Sequence, residues 1–297
     1  MRPRVVAVLG PTGIGKSDAA FALARTLGAE VVVCDSRQVY RELDIATNKP
    51  DPARMAVVPY HLVGVADPRE TFSVHRFVTA ARRAVEGIAG RGRLAILEGG
   101  SMLWADALLD GFSLAGVAPQ PERRKALSHL PVEELAAMVE RLDPDADVDM
   151  RNPVRLVRAI EVLEQAGPPL ARLRRREPPP WDVGRVGLTA PMDIVDERLA
   201  RRSRRQVERG LIEETRAALD AGVPRDAPVL TGIGYAEAVA CIDGGIGLEE
   251  LPGVMARSNR RYARRQLRWL RRDARIAWFD ASDDPVPRIL TYLKNAN

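Results

Sequence analysis

The chain has 297 residues, of which 46% are apolar, 29% charged and 5% aromatic, and its formal net charge is +5. An apolar content near the globular average excludes a disordered chain, and the length suffices for one large core or two smaller domains. The longest apolar runs are strand-sized, far short of the roughly 20 residues that span a bilayer, so no membrane association is expected. Three scattered histidines and two cysteines give no zinc-ligand spacing.

The N-terminus runs directly into a strand-like segment and shows no cleavage site for export. In a chain without an export signal the two cysteines, Cys34 and Cys241, are expected to be reduced thiols. The sequence therefore predicts a cytoplasmic protein.

The first third of the sequence alternates strand-like and helical segments. Buried strands are predicted at 4–9, 30–34 and 94–97, and helices at 17–27 and 72–88. Strands of this type that alternate with helices form parallel sheets covered on both faces. The predicted fold class is α/β, a doubly wound parallel sheet that carries a phosphate-binding loop (P-loop).

After residue 111 the pattern becomes mostly helical. Helices are predicted at 122–130, 131–142 and 153–165, and a basic run follows at 172–176 between two proline-rich stretches. This predicts a helical insertion domain at 113–185. The segments 1–112 and 186–297 then form the core, with a returning strand at 185–189 and helices at 196–221 and 257–275.

Residues 10–17 match the pattern G-x-x-x-x-G-K-[ST] between a predicted strand and a predicted helix. The eight candidate phosphate-binding residues are Gly10, Pro11, Thr12, Gly13, Ile14, Gly15, Lys16 and Ser17. Glycines let successive backbone N–H groups converge on one anion, and Lys16 adds a positive charge. The Ser17 hydroxyl can complete the shell of Mg²⁺, the expected cofactor. The ligand of the loop is either a nucleoside triphosphate or a diphosphate compound bound with Mg²⁺.

Two carboxylates follow predicted strands at the edge where α/β sheets bind ligands. A kinase or ATPase of this class has a strand that ends in Asp to hold Mg²⁺, whereas strand 94–97 is followed by Glu98. Asp35 ends the second strand. It can assist Mg²⁺, act as a base or cap the next turn, and these three roles stay open at this point.

Several further sequence blocks are spread along nearly the whole chain. They are Asp-Ser-Arg-Gln-Val-Tyr at 35–40, Pro-Tyr-His-Leu at 59–62, Gly-Gly-Ser at 99–101, Arg-Leu-Val-Arg-Ala-Ile-Glu-Val at 155–162, Arg198 and Arg202 before Gly210, Gly-Tyr at 234–235, and Arg-Arg-Gln at 264–266 with Trp269. Together with the phosphate loop, they resemble the tRNA dimethylallyltransferase family from residue 10 to about 272. The block at 35–40 is the most specific of them.

Some positions depart from the family pattern. Glu98 stands where an apolar residue is usual, Ser101 where a threonine is usual, and Gln206 where a methionine is usual. Ser101 and the segments 47–49 and 61–64 are closer to the related adenylate dimethylallyltransferases, which act on free AMP, ADP or ATP.

The resemblance implies transfer of a dimethylallyl group from dimethylallyl diphosphate to N6 of adenine 37, beside the anticodon of tRNA, with release of diphosphate. The phosphate loop would hold the diphosphate of the donor. Asp35 would accept the N6 proton, Ser101 would bind the leaving oxygen or cap a helix, and Arg202 would supply a second cation. The residues implied to contact tRNA are Asp35, Ser36, Arg37, Gln38, Ser101, Arg124, Arg155 and Arg158.

Nine arginines between 257 and 275 fall within an arc of roughly 140° on a helical wheel. A genomic preference for arginine codons explains their number but not their one-sided arrangement. A solvated face usually mixes charge signs, whereas Asp273 is the only acid in this span. We therefore predict an interface with the anticodon arm of tRNA, in which Arg261, Arg264 and Arg268 contact phosphates.

Three hypotheses remain on the sequence alone. Transfer to tRNA is the preferred one, followed by transfer to free adenine nucleotides and by a P-loop kinase or nucleic-acid-dependent ATPase. The expected partners are tRNA and dimethylallyl diphosphate, and a monomer is expected.

Overall fold

The computed structural model of the chain describes residues 3–112, 117, 120–173 and 176–295. The chain forms two compact units, one made of Met1–Ala105 and Pro180–Asn297 and the other of Asp106–Pro179. No helix in the described part of the chain is both long and apolar enough to cross a membrane.

The larger unit contains one sheet of six parallel strands. In chain order the strands are β1 (Arg4–Leu9), β2 (Glu30–Val33), β3 (Tyr60–His61), β4 (Ala95–Glu98), β5 (Asp182–Thr189) and β6 (Ala277–Asp280). Their order across the sheet is β3-β2-β4-β1-β5-β6, and every pairing is parallel. The predicted α/β fold is thus confirmed.

Thirteen helices are found among the described residues. Those before the insertion are α1 (Lys16–Leu27), α2 (Pro52–Val57), α3 (Val74–Gly90) and α4 (Met102–Leu109); next come α5 (Pro121–Ser128), α6 (Val132–Leu142), α7 (Pro153–Ala166) and α8 (Leu170–Leu173); the last are α9 (Met192–Glu208), α10 (Leu211–Asp220), α11 (Tyr235–Ile242), α12 (Leu251–Leu270) and α13 (Val286–Asn295).

Local sequence explains several helix ends. Gly28 closes α1 in the left-handed conformation, at φ 61°. The Ser73 side chain accepts a hydrogen bond from the backbone N–H of Arg76 and so caps α3, and Asn152 caps α7 in the same way.

The core of the larger unit follows the strand pattern. Val6, Val8, Val31, Val33 and Ile96 are fully or almost fully buried beneath helices that cover the sheet. Because these strands are buried on both faces, they read as continuous apolar runs rather than alternating ones.

Three predicted element boundaries were wrong. The single helix predicted at 196–221 is two helices, α9 and α10, because the backbone turns at Gly210 with φ 91°. The helix predicted at 257–275 starts earlier and ends at Leu270, so its last three arginines lie beyond it. Strand β5 begins at Asp182, inside the range predicted for the insertion.

The smaller unit is helical. Helices α5, α6 and α7 pack around a separate core that includes the fully buried Leu127, Leu135, Leu156 and Ile160. Of the predicted basic run at 172–176, residues 174 and 175 lie outside the described part of the chain, as do 113–116 and 118–119 in the loop before α5.

Candidate active site

The phosphate loop connects β1 to α1, as the sequence predicts. Gly13 has φ +82°, and a Cβ built at this position would lie 2.7 Å from Cδ2 of Leu199 on α9. Both the backbone conformation and the close approach of α9 therefore require glycine here. The loop ends at Gly15, whose backbone is left-handed at φ 101°, and α1 begins at Lys16.

A polar cavity of about 790 Å³ opens over this loop. Its lining in the larger unit includes residues 12–19 of the loop and α1, Asp35 and Gln38 after β2, Glu98 and Gly100 at the end of β4, and side chains of α9 and α12, together with residues 47, 48 and 54 and residues 281 and 283–286 after β6. These regions meet because the carboxyl ends of parallel strands share one edge of the sheet.

Lys16 and Ser17 contact two different groups at the base of the cavity. Lys16 Nζ donates to the carbonyl oxygen of Pro11 at 3.0 Å, and Ser17 Oγ donates to Glu98 Oε1 at 3.0 Å. Burial lowers the pKa of Lys16, although Glu98 and Asp35 oppose this effect, and burial raises the pKa of Glu98. The cavity base therefore pairs a phosphate-binding ammonium with two carboxyl groups.

Arg202 reaches the phosphate loop from α9. Its Nη1 donates to Thr12 Oγ1 at 3.0 Å and its Nη2 to Asn259 Oδ1 at 2.9 Å, while its buried Nε has no partner among the described residues. Burial lowers the pKa of Arg202 to about 10, so it stays charged at neutral pH. The structure thus places this arginine beside the loop.

Gln266 on α12 links two of the cavity walls. Its Oε1 accepts a hydrogen bond from the backbone N–H of Thr12 at 2.8 Å, and its Nε2 donates to the carbonyl oxygen of Gly100 at 2.8 Å. Tyr262, one turn earlier, donates to the same carbonyl at 3.2 Å. Sequence reasoning assigned no role to these two residues, because the contacts arise only once α12 lies against the sheet edge.

Asp35 and Gln38 form the wall of the cavity that follows β2. Asp35 Oδ1 accepts the backbone N–H groups of Arg37 at 2.8 Å and Gln38 at 3.4 Å, so this carboxylate does cap its turn. Burial raises the pKa of Asp35, although the backbone donors, Lys16 and Arg37 oppose the rise. Gln38 is 7% exposed, and its Oε1 has no partner within the described structure. An acceptor and a carboxylate thus lie side by side on the cavity wall.

Ser101 lies next to this wall rather than on it. Its Oγ accepts a hydrogen bond from the backbone N–H of Ser36 at 2.9 Å, and it is not one of the described residues that line the cavity. The hydroxyl holds the turn that carries Asp35. Ser36 and Arg37 are half-buried and lie on the same turn.

Helix α9 brings more positive charge to the cavity than the sequence indicated. Arg198, Arg201, Arg205 and Arg209 also line it. Arg198 donates to the carbonyl oxygens of Ile14 at 3.1 Å and Ala281 at 2.9 Å. The spacing of three and four residues along one helix was the available signal, since such residues share a helix face.

Most arginines of α12 face solvent on the side opposite its buried residues. All nine arginines between 257 and 275 are exposed. Arg260 pairs with Asp196, and Arg261 donates to Ser258 Oγ at 2.9 Å. Arg264 and Arg268 are exposed and have no ion pair among the described residues, so both are available to meet a phosphate.

The three arginines predicted in the insertion differ from one another. Arg124 makes a two-pronged contact with Glu161, with both distances 2.7 Å, and Arg158 lies 3.3 Å from the same carboxylate. Glu161 is fully buried; burial opposes its ionisation, but these hydrogen bonds hold its pKa below the ordinary value. Arg155 is exposed on the first turn of α7.

The loop after Asp35 is tied to α9 and α10 by a cluster that the sequence did not reveal. Glu214 accepts the backbone N–H groups of Asp44 at 2.9 Å and Ile45 at 3.0 Å, and also the hydroxyl of Tyr235. Gln206 donates to the carbonyl oxygen of Ile45 at 3.0 Å. Gln206 is thus a second anchor of this loop.

The donor set at the cavity base is compatible with Mg²⁺. The Ser17 hydroxyl and the carboxylates of Glu98 and Asp35 line the same cavity, and Mg²⁺ prefers oxygen ligands. Within the described ranges, no group of three or more His, Cys, Asp or Glu side chains could hold a metal. This is typical of Mg²⁺ sites, in which few protein ligands are combined with substrate phosphates and water.

A glycine-rich loop on the central strand of a parallel sheet, with converging lysine and arginine side chains, defines a phosphate-binding α/β protein. A family model described as IPP transferase matches residues 38–273. The chain belongs to this family, and the resemblance found in the sequence is confirmed.

Individual relatives agree over most of the chain. The tRNA dimethylallyltransferase of Thermomicrobium roseum is 42% identical over 287 residues, which cover 95% of this chain and 87% of that protein. The protein of the same description from Rhodococcus jostii is 40% identical over 95% of this chain and 93% of its own length.

Solved structures give the same result. The crystal structure of the full-length tRNA isopentenylpyrophosphate transferase from Bacillus halodurans is 34% identical, covers 99% of this chain and 95% of its own, and has a TM-score of 0.75. A eukaryotic dimethylallyltransferase acting on tRNA is 22% identical over 98% of this chain and 78% of its own, with a TM-score of 0.83, and shares the fold.

Proposed function

We propose that this protein is a tRNA dimethylallyltransferase, which transfers the dimethylallyl group of dimethylallyl diphosphate to N6 of adenine 37 in the anticodon arm of tRNA. One observation carries the proposal. A single cavity is lined by the phosphate loop, by the carboxylate of Asp35 and by Gln38, whose amide oxygen has no partner among the described residues. The curated relatives are named for the same reaction.

The diphosphate of the donor is held by the loop. Backbone N–H groups at the start of α1 and the side chains of Lys16 and Arg202 surround the position where negative charge develops as diphosphate departs. The buried Nε of Arg202 has no partner among the residues that the structure describes, which supports a further hydrogen bond to this anion.

The acceptor adenine enters from the side of Asp35 and Gln38. Oε1 of Gln38, which has no partner among the described residues, accepts a hydrogen bond from the N6 amine of the adenine and orients it. The N6 lone pair attacks the allylic carbon C1, the C1–O bond breaks, and its electron pair leaves with diphosphate. Asp35 takes the proton that N6 loses, and its raised pKa makes its carboxylate a stronger base than an ordinary aspartate.

Mg²⁺ is the proposed cofactor, with Ser17 as its ligand in the loop. When bound, the ion stabilises the negative charge of the leaving diphosphate. Lys16 and Arg202 act on the same charge from the protein side.

The proposed contacts with tRNA phosphates lie outside this cavity. Arg264 and Arg268 of α12 are the proposed phosphate contacts there, with Arg261 beside them, and Arg155 is the proposed contact in the helical insertion domain. Extruding a base from a folded anticodon arm requires such phosphate contacts around it. We further propose that the protein works in the cytoplasm as a monomer.

The test is incubation with radiolabelled dimethylallyl diphosphate, Mg²⁺ and either unmodified tRNA or AMP. Label in adenine 37 of tRNA supports the proposal. Label in AMP alone identifies an adenylate dimethylallyltransferase, and hydrolysis of ATP without transfer of label identifies a nucleotide hydrolase; both outcomes overturn it.

A further inference from the structure

Glu98 is a buried acid in a cavity built for an anion. It is 4% exposed, it is the last residue of β4, and it lines the same cavity as the phosphate loop. A carboxylate at this place repels a diphosphate unless a cation lies between them.

The sheet places Glu98 between the two halves of the site. Its Cα pairs with Val8 of β1, two residues before the phosphate loop, and with Val33 of β2, two residues before Asp35. Strand β4 lies between β1 and β2, so its carboxyl end projects between the donor side and the acceptor side of the cavity.

The hydrogen bond to Ser17 fixes the direction of the serine hydroxyl. Ser17 Oγ donates its only proton to Glu98 Oε1 at 3.0 Å. With the proton used in this way, both lone pairs of the hydroxyl oxygen are available to a cation. A carboxylate that accepts from a metal ligand also increases the basicity of that ligand.

We propose that Glu98 is a positioning residue for a divalent cation bound at Ser17, which it assists by orienting the Ser17 hydroxyl and by adding negative charge beside the ion. The inference rests on the proposed function in that the cation accompanies a diphosphate. Glu98 then replaces, on β4, the acid that other P-loop proteins place at the end of a strand beside the loop.

The direct test measures binding of Mn²⁺ by electron paramagnetic resonance, with inorganic diphosphate present, in the wild type and in Glu98→Gln. Glutamine keeps an acceptor oxygen for Ser17 and removes only the charge. We expect Mn²⁺ affinity to fall about tenfold or more. Binding of inorganic diphosphate in EDTA should stay equal or tighten, because a repulsive charge is lost.

Asp18→Asn is the matched control. Asp18 also lines the cavity and carries the same charge, but its side chain is 73% exposed and it pairs with Arg54. The control should leave Mn²⁺ affinity near the wild-type value. Equal Mn²⁺ affinity in Glu98→Gln and wild type, or equal losses in both variants, would overturn the proposal.

Two further measurements separate this role from folding and from the proposed function. If Ser17 and Glu98 serve one ion, the losses of Mn²⁺ affinity in Ser17→Ala and Glu98→Gln should be non-additive in the double variant. The variants should unfold at the wild-type temperature. Additive losses in such folded variants would contradict the proposal. Transfer of label to tRNA is assayed separately. If Mn²⁺ binding depends on Glu98 but the protein prenylates no tRNA, the proposed function is refuted and the role of Glu98 is not.

Discussion

Arg202 Nη1 donates to Thr12 Oγ1 at 3.0 Å, although the two residues are 190 positions apart in the chain. This hydrogen bond holds the guanidinium beside the phosphate loop. Pre-placed charge of this kind is effective because it needs no rearrangement when the leaving group departs.

Replacing Arg202 with Gln should therefore lower kcat by about 100-fold or more, because one cation at the leaving group is lost. Single-turnover transfer of label to tRNA measures the effect. Arg204→Gln, on an exposed position of the same helix, is the control and should retain activity. Equal activity of the two variants would remove Arg202 from the reaction.

Asp35→Asn should reduce turnover by about 100-fold or more while leaving tRNA affinity largely intact, because the amide cannot take the N6 proton. Filter binding measures tRNA affinity and single-turnover assays measure transfer. If tRNA affinity and turnover fall together, Asp35 serves the structure of its turn instead.

The same residue predicts a pH dependence. Asp35 must be ionised to accept a proton, so activity is lost as the pH falls through its pKa. Burial raises this pKa, and the acidic limb of the kcat profile should lie above the ordinary aspartate value of 3.8. An acidic limb at or below that value would contradict the assignment.

The double variant Arg264→Gln and Arg268→Gln should weaken tRNA binding and reduce the slope of log affinity against log salt by about 1.5, since two phosphate contacts disappear. The control is Arg25→Gln with Arg83→Gln, two exposed arginines on α1 and α3. An unchanged slope in the α12 variant would show that Arg264 and Arg268 contact solvent and not the phosphates of tRNA.

The arginines of the insertion should separate into two kinds. Arg155→Gln should weaken tRNA binding without changing the unfolding temperature. Arg124→Gln should lower the free energy of unfolding by about 1–3 kcal/mol, because buried Glu161 loses its two-pronged partner. Thermal unfolding and filter binding on both variants decide this, and identical effects of the two changes would refute the distinction.

Glu30 supports the sheet far from the site. Its buried carboxylate accepts hydrogen bonds from Arg91 at 3.0 and 2.6 Å and contacts His61 at 2.8 Å. The hydrogen bonds from Arg91 contribute most to lowering its pKa to about 2. Because the folded-state pKa is depressed, this contribution to stability is complete above the unfolded pKa of about 4.5 and is lost as the pH falls towards 2.

Glu30→Gln should therefore lower the free energy of unfolding at pH 7 by about 3 kcal/mol. Glu86→Gln, on an exposed position of α3, is the control. Denaturant unfolding at several pH values measures both effects. A wild-type stability advantage over Glu30→Gln that persists unchanged to pH 2 would contradict the argument.

The sequence was informative where a pattern is local. The first strand, the phosphate loop and the turn at Asp35 follow from apolar periodicity and from glycine spacing, and the structure places them together at one sheet edge. Strand β3 has only two residues, too few for a periodic signal. The break at Gly210 was missed because helical spacing continues on both sides of it.

Contacts between distant segments required the fold. Nothing local links Ser17 to Glu98 or Thr12 to Gln266, because these pairs meet only after the strand order is set. The ion pair of Arg124 with Glu161 joins positions 37 apart, so the sequence alone gave no sign of this partner, and contact of Arg124 with tRNA stays a prediction.

Helix α12 carries two groups of side chains on opposite sides, and the number of residues between them sets the angle between the groups. Gln266 accepts a hydrogen bond from the phosphate loop on one side, and Arg264 and Arg268 face outward on the other. An insertion or deletion of one residue between Arg264 and Arg268 rotates Gln266 against one of these arginines by about 100°. The stretch 264–268 should therefore tolerate almost no change of length.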